Sequence, residues 1–304
     1  MDVLSGPQLD VHRSITQKIV KSIEDCAGEY RMPWHRSDAS ITRPLNAYTG
    51  QPYRGVNVLA LWVETLRSSF GCGQWATYRQ WLKLGAQVRK GERGSLIVFY
   101  KELDPEQQEG DQENTRPRLM ARASWVFNAG QVDGWEPIQP ARRNEVEVLD
   151  DVEAFVSATK ADIRHGRSQA CYNWAGDFIE IPDKQWFVGS ETSSATESYY
   201  SVLLHEMTHW TADPDRLNRD IRNRYGTESY AMEELIAELG AAFLCADLGI
   251  SNEPRPDHAA YVADWLTVLD RDQRAIFTAA SKASAAVDYL AQLASRAKQP
   301  AGEV

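Results

Sequence analysis

The sequence YYSVLLHEMTHWT, residues 199–211, contains the pattern H-E-x-x-H and points to the fold of the second half of this chain. Shortly before it, Ser194 is followed three positions later by Glu197, which is the arrangement of a capping box at the start of a helix. We therefore predict that the H-E-x-x-H pattern lies on a helix that begins near Ser194.

The two histidines of this pattern can share one metal ion. His205 and His209 are four residues apart, and on a helix this spacing brings both imidazoles to the same face. Glu206 follows the first histidine, where its carboxylate can activate a water molecule without binding the metal itself. The pattern predicts a metallopeptidase centre with His205 and His209 as ligands and Glu206 as general base.

A tetrahedral catalytic site needs a third protein ligand and one position left open for water. The best source is the helical run EELIAELGAAFLCADLG, residues 233–249, in which Glu234 and Glu238 are four apart and share a face. We predict that Glu234 is the third ligand and that Glu238 accepts a hydrogen bond from a ligand histidine, with the reverse assignment as the alternative. Glu233 lies about 100° around the helix from Glu234 and is expected to face solvent.

The donor set of two histidines and a glutamate predicts Zn²⁺, with Mn²⁺ or another divalent ion as an alternative. Three ligands favour a catalytic centre, because closed structural zinc sites use four; a DNA-coating protein with a structural metal is the competing interpretation. A nuclease is disfavoured because hydrolytic nuclease metals usually lie among oxygen ligands. Peptide hydrolysis also needs a second stabiliser of the oxyanion, for which Tyr225 and His258 are candidates.

The net charge of −10 averages two unlike parts of the chain. Between Arg31 and Lys101 eleven Lys and Arg residues stand against three acidic ones, a balance of +8, so the remainder carries −18. Aromatic and basic residues alternate in this segment, which is typical of surfaces that bind single-stranded nucleic acid. No helix-turn-helix or zinc-finger spacing is present. The candidate DNA contacts are Tyr53, Arg54, Asn57, Trp75, Tyr78, Arg89 and Lys90, whereas Trp62 is expected in the core.

The remaining pattern predicts a mixture of helices and strands. In the first half we expect helices over Val11–Cys26, Asn57–Ser68 and Trp75–Leu84, and a hairpin of the strands Ser95–Lys101 and Ala123–Asn128. The second half is expected to contain a helix from Val148 to Lys160 and strands over Cys171–Asn173 and Phe178–Ile181. The Pro-rich and charged stretch at residues 133–145 predicts a domain boundary.

Cysteine usage and hydropathy indicate the compartment. The four cysteines are scattered without pairing or C-x-x-C spacing, which suits a reducing environment. The chain shows no apolar stretch behind a basic start and no apolar run long enough to cross a bilayer. We expect a cytoplasmic protein without a membrane partner.

Three segments of the second half, HEMTHW, RLNRD and EELIAELGAAFL, resemble the zincin-like metallopeptidase domain of the ArdC-type antirestriction proteins. That domain is similar in layout to the ImmA-type peptidases, whose third ligand comes from such a glutamate-bearing helix. The resemblance spans about Val148 to Leu293 and implies a small sheet, an active-site helix and a second helix that supplies the carboxylate. It also implies that the strand Phe178–Ile181 lies along the cleft and can pair with an extended peptide.

The first half resembles the amino-terminal domain of the same family, which binds single-stranded DNA. The matching segments are NAYTGQPYRGVNVLAL, WATYRQWLKLGAQVRKGERG and WVFNAGQVDG, in the expected order. The resemblance implies an antirestriction protein of a plasmid or other mobile element that protects DNA entering a new host as a single strand during conjugation. We expect the DNA-binding part to hold the protein on that strand while the metal-binding part acts on a host protein.

The sequence thus predicts an α+β protein of two domains. Residues 1–138 are expected to form a small α+β domain that binds single-stranded DNA, and residues 146–295 a zincin-like metallopeptidase domain.

Overall fold

The computed structural model describes most of the chain, namely residues 10–26, 32, 34–35, 42–102, 119–138, 145–190, 193–220, 227–252 and 258–298. Helices and strands mix in both halves, which confirms the predicted α+β class. Within this described part, each helix is too short or too polar to cross a membrane.

The amino-terminal half combines three helices of the described chain with two small sheets. Its elements, in chain order, are α1 (Val11–Cys26), β1 (Leu45–Asn46), α2 (Val56–Ser68), β2 (Gln74–Ala76), α3 (Tyr78–Lys83), β3 (Gln87–Val88), β4 (Ser95–Glu102), β5 (Leu119–Asn128) and β6 (Val132–Asp133). One sheet has the strand order β1-β2-β5-β4, and β3 pairs with β6 in the other. The predicted helix α1 and the antiparallel hairpin of β4 and β5 are confirmed.

The helix predicted from Trp75 begins later than expected. Trp75 belongs to strand β2, where it pairs with Asn128 of β5. The following Thr77 is the cap of α3, because its hydroxyl accepts a hydrogen bond from the Gln80 backbone N–H and the Gln80 side chain accepts one from the Thr77 N–H. This capping box starts the helix at Tyr78 and leaves Trp75 in the sheet.

The carboxy-terminal half packs helices against a three-stranded sheet. Its elements are α4 (Glu145–Thr159), β7 (Ile163–His165), β8 (Cys171–Asn173), β9 (Phe178–Ile181), α5 (Ala195–Trp210), α6 (Glu228–Leu248), α7 (His258–Arg271) and α8 (Ala275–Lys298). The capping box at the start of α5 is confirmed, since the Ser194 hydroxyl accepts from the Glu197 N–H and the Glu197 carboxylate accepts from the Ser194 N–H.

The position of the strand Phe178–Ile181 in the sheet differs from the prediction. The strand order is β7-β9-β8, so β9 is the central strand and both of its edges are already paired. The sequence pattern did not reveal β7, which pairs with β9 in parallel. The edge strands are therefore β7 and β8, and an extended peptide can be added next to these but not next to β9.

Helices α5 and α6 approach each other closely beside the H-E-x-x-H segment. Helix α6 is buried along most of its length and ends at Gly249, whose φ of 77° is the left-handed conformation of a helix C-cap. At Gly240 the two helices nearly touch, because a Cβ atom there would lie 2.5 Å from Cγ2 of Thr208. This contact sets the distance between the histidines of α5 and the glutamates of α6.

The main hydrophobic core extends across both halves of the chain, and a smaller cluster around Trp81 lies in the amino-terminal half. The ring of Trp62 on α2 packs 5.8 Å from that of Phe243 on α6, which confirms Trp62 as a core residue. Trp34 packs 6.0 Å from Trp265 on α7. The amino-terminal half is thus in direct contact with the helices that carry the predicted metal ligands.

Candidate metal centre and nucleic-acid surface

Three predicted ligands converge on one point between α5 and α6. Nε2 of His205 lies 3.2 Å from Nε2 of His209, and the two oxygens of Glu234 lie 3.6 Å from these nitrogens, one from each. Ligands at zinc bond lengths in a tetrahedron are separated by about 3.3 Å, so the observed spacing fits one shared ion. Among the described residues, His205, His209 and Glu234 form a group that could hold a metal ion, because their ligand atoms lie within 4.8 Å of one another.

The other nitrogen of each imidazole faces a second carboxylate. The Nδ1–H of His209 donates to Oε1 of Glu233 at 3.2 Å, and Nδ1 of His205 lies 3.5 Å from Oε2 of Glu238. Carboxylates in these places favour the tautomers with the proton on Nδ1, which leaves both Nε2 lone pairs pointing at each other. A cation between the two lone pairs relieves their repulsion, so the donor set suits a divalent metal ion.

Glu233 is buried, against the expectation that it faces solvent. Only 6% of its surface is exposed, and Arg219 donates hydrogen bonds to both of its carboxylate oxygens, at 2.8 and 3.1 Å. Burial alone raises the pKa of Glu233, but hydrogen bonds from His209 and Arg219 outweigh burial and hold the pKa below its usual range. The position around the helix was correct, but the loop after α5 covers this face and supplies Arg219.

Glu206 lies on α5, next in sequence to His205, and is 5% exposed. Helix α5 packs against strand β8. Burial raises the pKa of the Cys171 thiol on β8, and the negative charge of Glu206 raises it further. The predicted general base is therefore a buried carboxylate on the helix that packs against β8. Tyr225 and the side chain of His258, the two candidates for the oxyanion, lie outside the described part of the chain.

A cavity of about 690 Å³ opens at the end of strand β8. Tyr172 and the half-exposed Trp174 line one side, and Asp213 and Asp215 of the loop after α5 line another. Arg219 also lines it, and the same guanidinium is bonded to Glu233 behind His209. The cavity thus extends from strand β8 to Arg219, the residue that holds Glu233 behind the predicted ligand His209.

The seven candidate DNA contacts divide into buried and exposed residues. Trp75 is fully buried, and burial of Tyr53 raises its pKa to about 12. The side-chain amide of Asn57 is also buried, where it donates to the carbonyl of Val98 and accepts from its N–H at the edge of β4. These three positions support the fold and present no free face to a nucleic acid.

The other four candidates reach the surface. Arg54 forms an ion pair with Asp288 of α8 and so contacts the carboxy-terminal half. Tyr78, Arg89 and Lys90 line a groove of about 520 Å³. Arg89 is partly committed, because it donates to Glu92 and to the carbonyls of Gly130 and Val132. The candidates left free to meet a ligand are those around this groove.

The groove has an aromatic wall that the sequence analysis did not identify. The rings of Tyr78 and Phe127 meet edge to face at 6.5 Å, and Trp125 lies two residues before Phe127 on the same face of β5. A Cβ atom at Gly94 would lie 3.2 Å from both Cζ of Phe127 and Cβ of Trp125, so these two residues lie side by side next to Gly94. We refer to Tyr78, Phe127 and Trp125 as the aromatic row. The signal that was available is the W-x-F alternation, which places two aromatic side chains on one side of a strand.

Two known families match consecutive parts of this sequence. The N-terminal domain of the anti-restriction factor ArdC matches residues 9–127, and the zincin-like metallopeptidase family matches residues 150–282. The metal-free crystal structure of the antirestriction protein ArdC from plasmid R388 is 36% identical, with a TM-score of 0.74, and covers 95% of this chain and 99% of its own. The chain belongs to the ArdC family of antirestriction proteins.

Other relatives place this ArdC-type chain in context. The Mn(II)-bound structure of R388 ArdC is 37% identical, with a TM-score of 0.75, and covers 94% of this chain and 98% of its own. An uncharacterized protein of Sinorhizobium fredii, y4eC, is 45% identical over 92% of the chain and 91% of its own length. The DNA primase TraC of Escherichia coli is 33% identical over 92% of the chain but only 27% of its own length, so there the ArdC-type sequence is part of a longer protein.

Proposed function

We propose that this protein is an antirestriction factor that binds single-stranded DNA and hydrolyses peptide bonds of a host protein. The predicted domain of residues 1–138 would bind DNA, and the predicted domain of residues 146–295 would carry out catalysis. The observation that carries the proposal is the meeting of His205, His209 and Glu234 at one point, with the buried Glu206 on the same helix as the two histidines.

Residues His205, His209 and Glu234 would hold the ion, which we propose to be Zn²⁺. The R388 relative was solved with Mn(II), so Mn²⁺ is the alternative. A divalent ion there would supply a Lewis acid that polarises a carbonyl and lowers the pKa of a water molecule toward about 7. Glu206 would accept a proton from the attacking water and pass it to the leaving amine. The burial of Glu206 would keep this proton transfer away from bulk solvent.

The substrate of this reaction is proposed to be an extended peptide. Strand β8 is an edge strand of its sheet and packs against α5, the helix that carries Glu206, so a strand added there would run alongside Cys171–Asn173. The cavity at the end of β8 would take a side chain of that peptide. Backbone hydrogen bonds to an edge strand hold a peptide without reading its sequence, so selectivity is expected to come from this cavity.

The DNA-binding surface is proposed to be the groove with the row Tyr78, Phe127 and Trp125. Unpaired bases stack on exposed rings, and Tyr78 and Trp125 are 45% and 52% exposed. The flanking Lys90 and Arg93 are exposed and can follow the phosphates. A single strand fits this surface better than a duplex, because bases within a duplex are already stacked.

In the cell, the two activities together would protect mobile DNA. We propose that the protein associates with plasmid DNA that enters a host as a single strand during conjugation, and that it cleaves a host protein there. The setting is the cytoplasm, where such DNA meets the restriction system.

The DNA part is tested by binding of a fluorescent single strand and of the matching duplex across a salt series. The unchanged protein is expected to prefer the single strand. Lys90→Gln should make the logarithmic salt slope shallower by about 0.7, the value of one phosphate contact on a single strand. Lys282→Gln, the same change at an exposed site on α8, should leave the slope unchanged. Equal binding of both DNA forms would contradict the proposal.

The catalytic part is tested with Glu206→Gln, which should keep metal binding and folding. Hydrolysis of a peptide library by the metal-loaded protein should fall by about 10²- to 10⁴-fold. Glu24→Gln, the same change on the exposed face of α1, is the control. Conjugal transfer into restricting and non-restricting recipients is then measured with each variant. If protection survives Glu206→Gln undiminished, the protein acts by coating DNA and its metal is structural.

A further inference from the structure

The metal centre continues into the amino-terminal half of the chain. Nε2 of His35 lies 3.0 Å from Oε1 of Glu238, and both side chains are almost fully buried, with 0% and 3% of their surfaces exposed. The other oxygen of Glu238 lies 3.5 Å from Nδ1 of His205. The carboxylate of Glu238 therefore connects the predicted metal ligand His205 with His35, which lies 203 positions before Glu238 in the sequence.

The hydrogen bonds of His35 determine which nitrogen carries its proton. The backbone N–H of Met32 donates to Nδ1 of His35 at 2.8 Å, so Nδ1 must be the acceptor. The proton of the neutral ring is then on Nε2, which donates it to Glu238. The direction of this bond is set locally, by the turn that Met32 and His35 form.

The segment that carries His35 is anchored in the carboxy-terminal half. Trp34 is fully buried and packs 6.0 Å from Trp265 of α7, and Met32 is 1% exposed. Because Trp34 and Met32 are both fixed in the shared core, the imidazole of His35 has little freedom to turn away from Glu238. Its position is built into the packing of one half against the other.

We infer that His35 is a positioning residue of the metal centre. By holding Oε1 of Glu238, it fixes the plane of that carboxylate and directs Oε2 toward His205, which in turn aims Nε2 at the metal position. Without this donor, the buried Oε1 of Glu238 loses one hydrogen bond and the carboxylate can turn, so His205 is held less firmly. The amino-terminal half thus completes the metal centre of the other half.

This inference rests on the metal centre of the proposed function, but on neither proteolysis nor DNA binding. It is tested by metal affinity of the metal-free full-length protein, titrated with Mn²⁺ and with Co²⁺. Two substitutions of His35 separate the effect of its Nε2–H donor from the effect of its Nδ1 acceptor. The amide of His35→Gln can reach Glu238 from the position of Nε2, whereas the shorter amide of His35→Asn can replace only Nδ1 as acceptor for Met32.

We expect His35→Asn to lower the affinity for both ions by about 10- to 100-fold, the usual effect of removing an outer partner of a metal ligand. The visible absorption of bound Co²⁺, which reports ligand geometry, should also change. His35→Gln should restore both readouts. His12→Asn, at a partly buried histidine of α1 that pairs with Tyr100 outside the metal centre, should alter neither. Unchanged affinity in His35→Asn, or equal losses in Asn and Gln variants, would overturn the inference.

A double-mutant cycle with Glu238→Gln provides a second measurement that does not depend on one variant folding well. If His35 acts through Glu238, combining His35→Asn with Glu238→Gln should cost no more affinity than Glu238→Gln alone. Additive losses would show that His35 affects the protein by another route and would contradict the inference. A change in peptide hydrolysis is not needed for either outcome, so failure of this inference leaves the proposed catalysis untouched.

Discussion

The metal centre and the nucleic-acid surface were both predicted from residue patterns, but the structure brings the predicted residues together only at the metal centre. His205, His209 and Glu234 meet at one point. Of the seven candidate DNA contacts, by contrast, Tyr53, Asn57 and Trp75 are buried. The difference lies in what each pattern specifies. Spacing of four on a helix dictates direction, whereas a mixture of aromatic and basic residues does not say which rings face inward.

The largest expected effect is the loss of stability when Trp75, a buried aromatic residue that was predicted to contact DNA, is truncated. Trp75→Ala should destabilise the protein by about 3–5 kcal/mol, because it leaves a cavity in the core next to Phe70. Chemical denaturation measures this cost. Tyr78→Ala, at a half-exposed ring of the neighbouring helix, should cost far less stability. Similar losses in the two variants would mean that Trp75 is not the core residue described.

A substitution at Glu233 sharpens the account of the metal centre. Glu233→Gln should lower metal affinity by about 10- to 100-fold, since it weakens the acceptor that orients His209. Calorimetric titration of the metal-free protein gives the affinity. Glu228→Gln, at an exposed glutamate in the first turn of the same helix, is the matched control. Equal affinities in the two variants would show that Arg219, and not His209, is the functional partner of Glu233.

The smallest expected effect concerns the aromatic row. Trp125→Ala should weaken binding of a single strand by about 1–3 kcal/mol, the value of one stacked base, with little change in stability because half of the ring is exposed. Fluorescence anisotropy measures the affinity. Trp186→Ala removes a more exposed ring from the other half and should have no effect. A loss of DNA affinity in Trp186→Ala and none in Trp125→Ala would show that the DNA site is not at the aromatic row.

These regions show how far the sequence could be read. The capping box of Ser194 and Glu197 predicted the start of the active-site helix, because cap chemistry is local and uses neighbouring residues. Glu233 was misjudged because its burial depends on Arg219, which belongs to a loop that the helical pattern does not describe. The role of His35 could not be predicted from the sequence for the same reason, since only the tertiary fold brings Glu238 next to it.

The edge of the small sheet gives a similar lesson. Both strands of the hairpin over Cys171–Asn173 and Phe178–Ile181 were predicted with the observed bounds, because alternation and a turn mark them. Which of them is the edge strand depends on β7, whose three residues, Ile163–His165, give no clear alternation. Local patterns identify strands, but strand order follows from contacts between distant segments.

The most direct test of this account is the metal stoichiometry and affinity of the full-length protein, measured by titration with Zn²⁺ and Mn²⁺ for the unchanged chain and three variants. We predict one ion per chain, no measurable binding after Glu234→Ala, weakened binding after Glu238→Ala and unchanged binding after Glu206→Gln. Full affinity in Glu234→Ala, or loss of the ion in Glu206→Gln, would contradict the assignment of Glu234 as ligand and Glu206 as base.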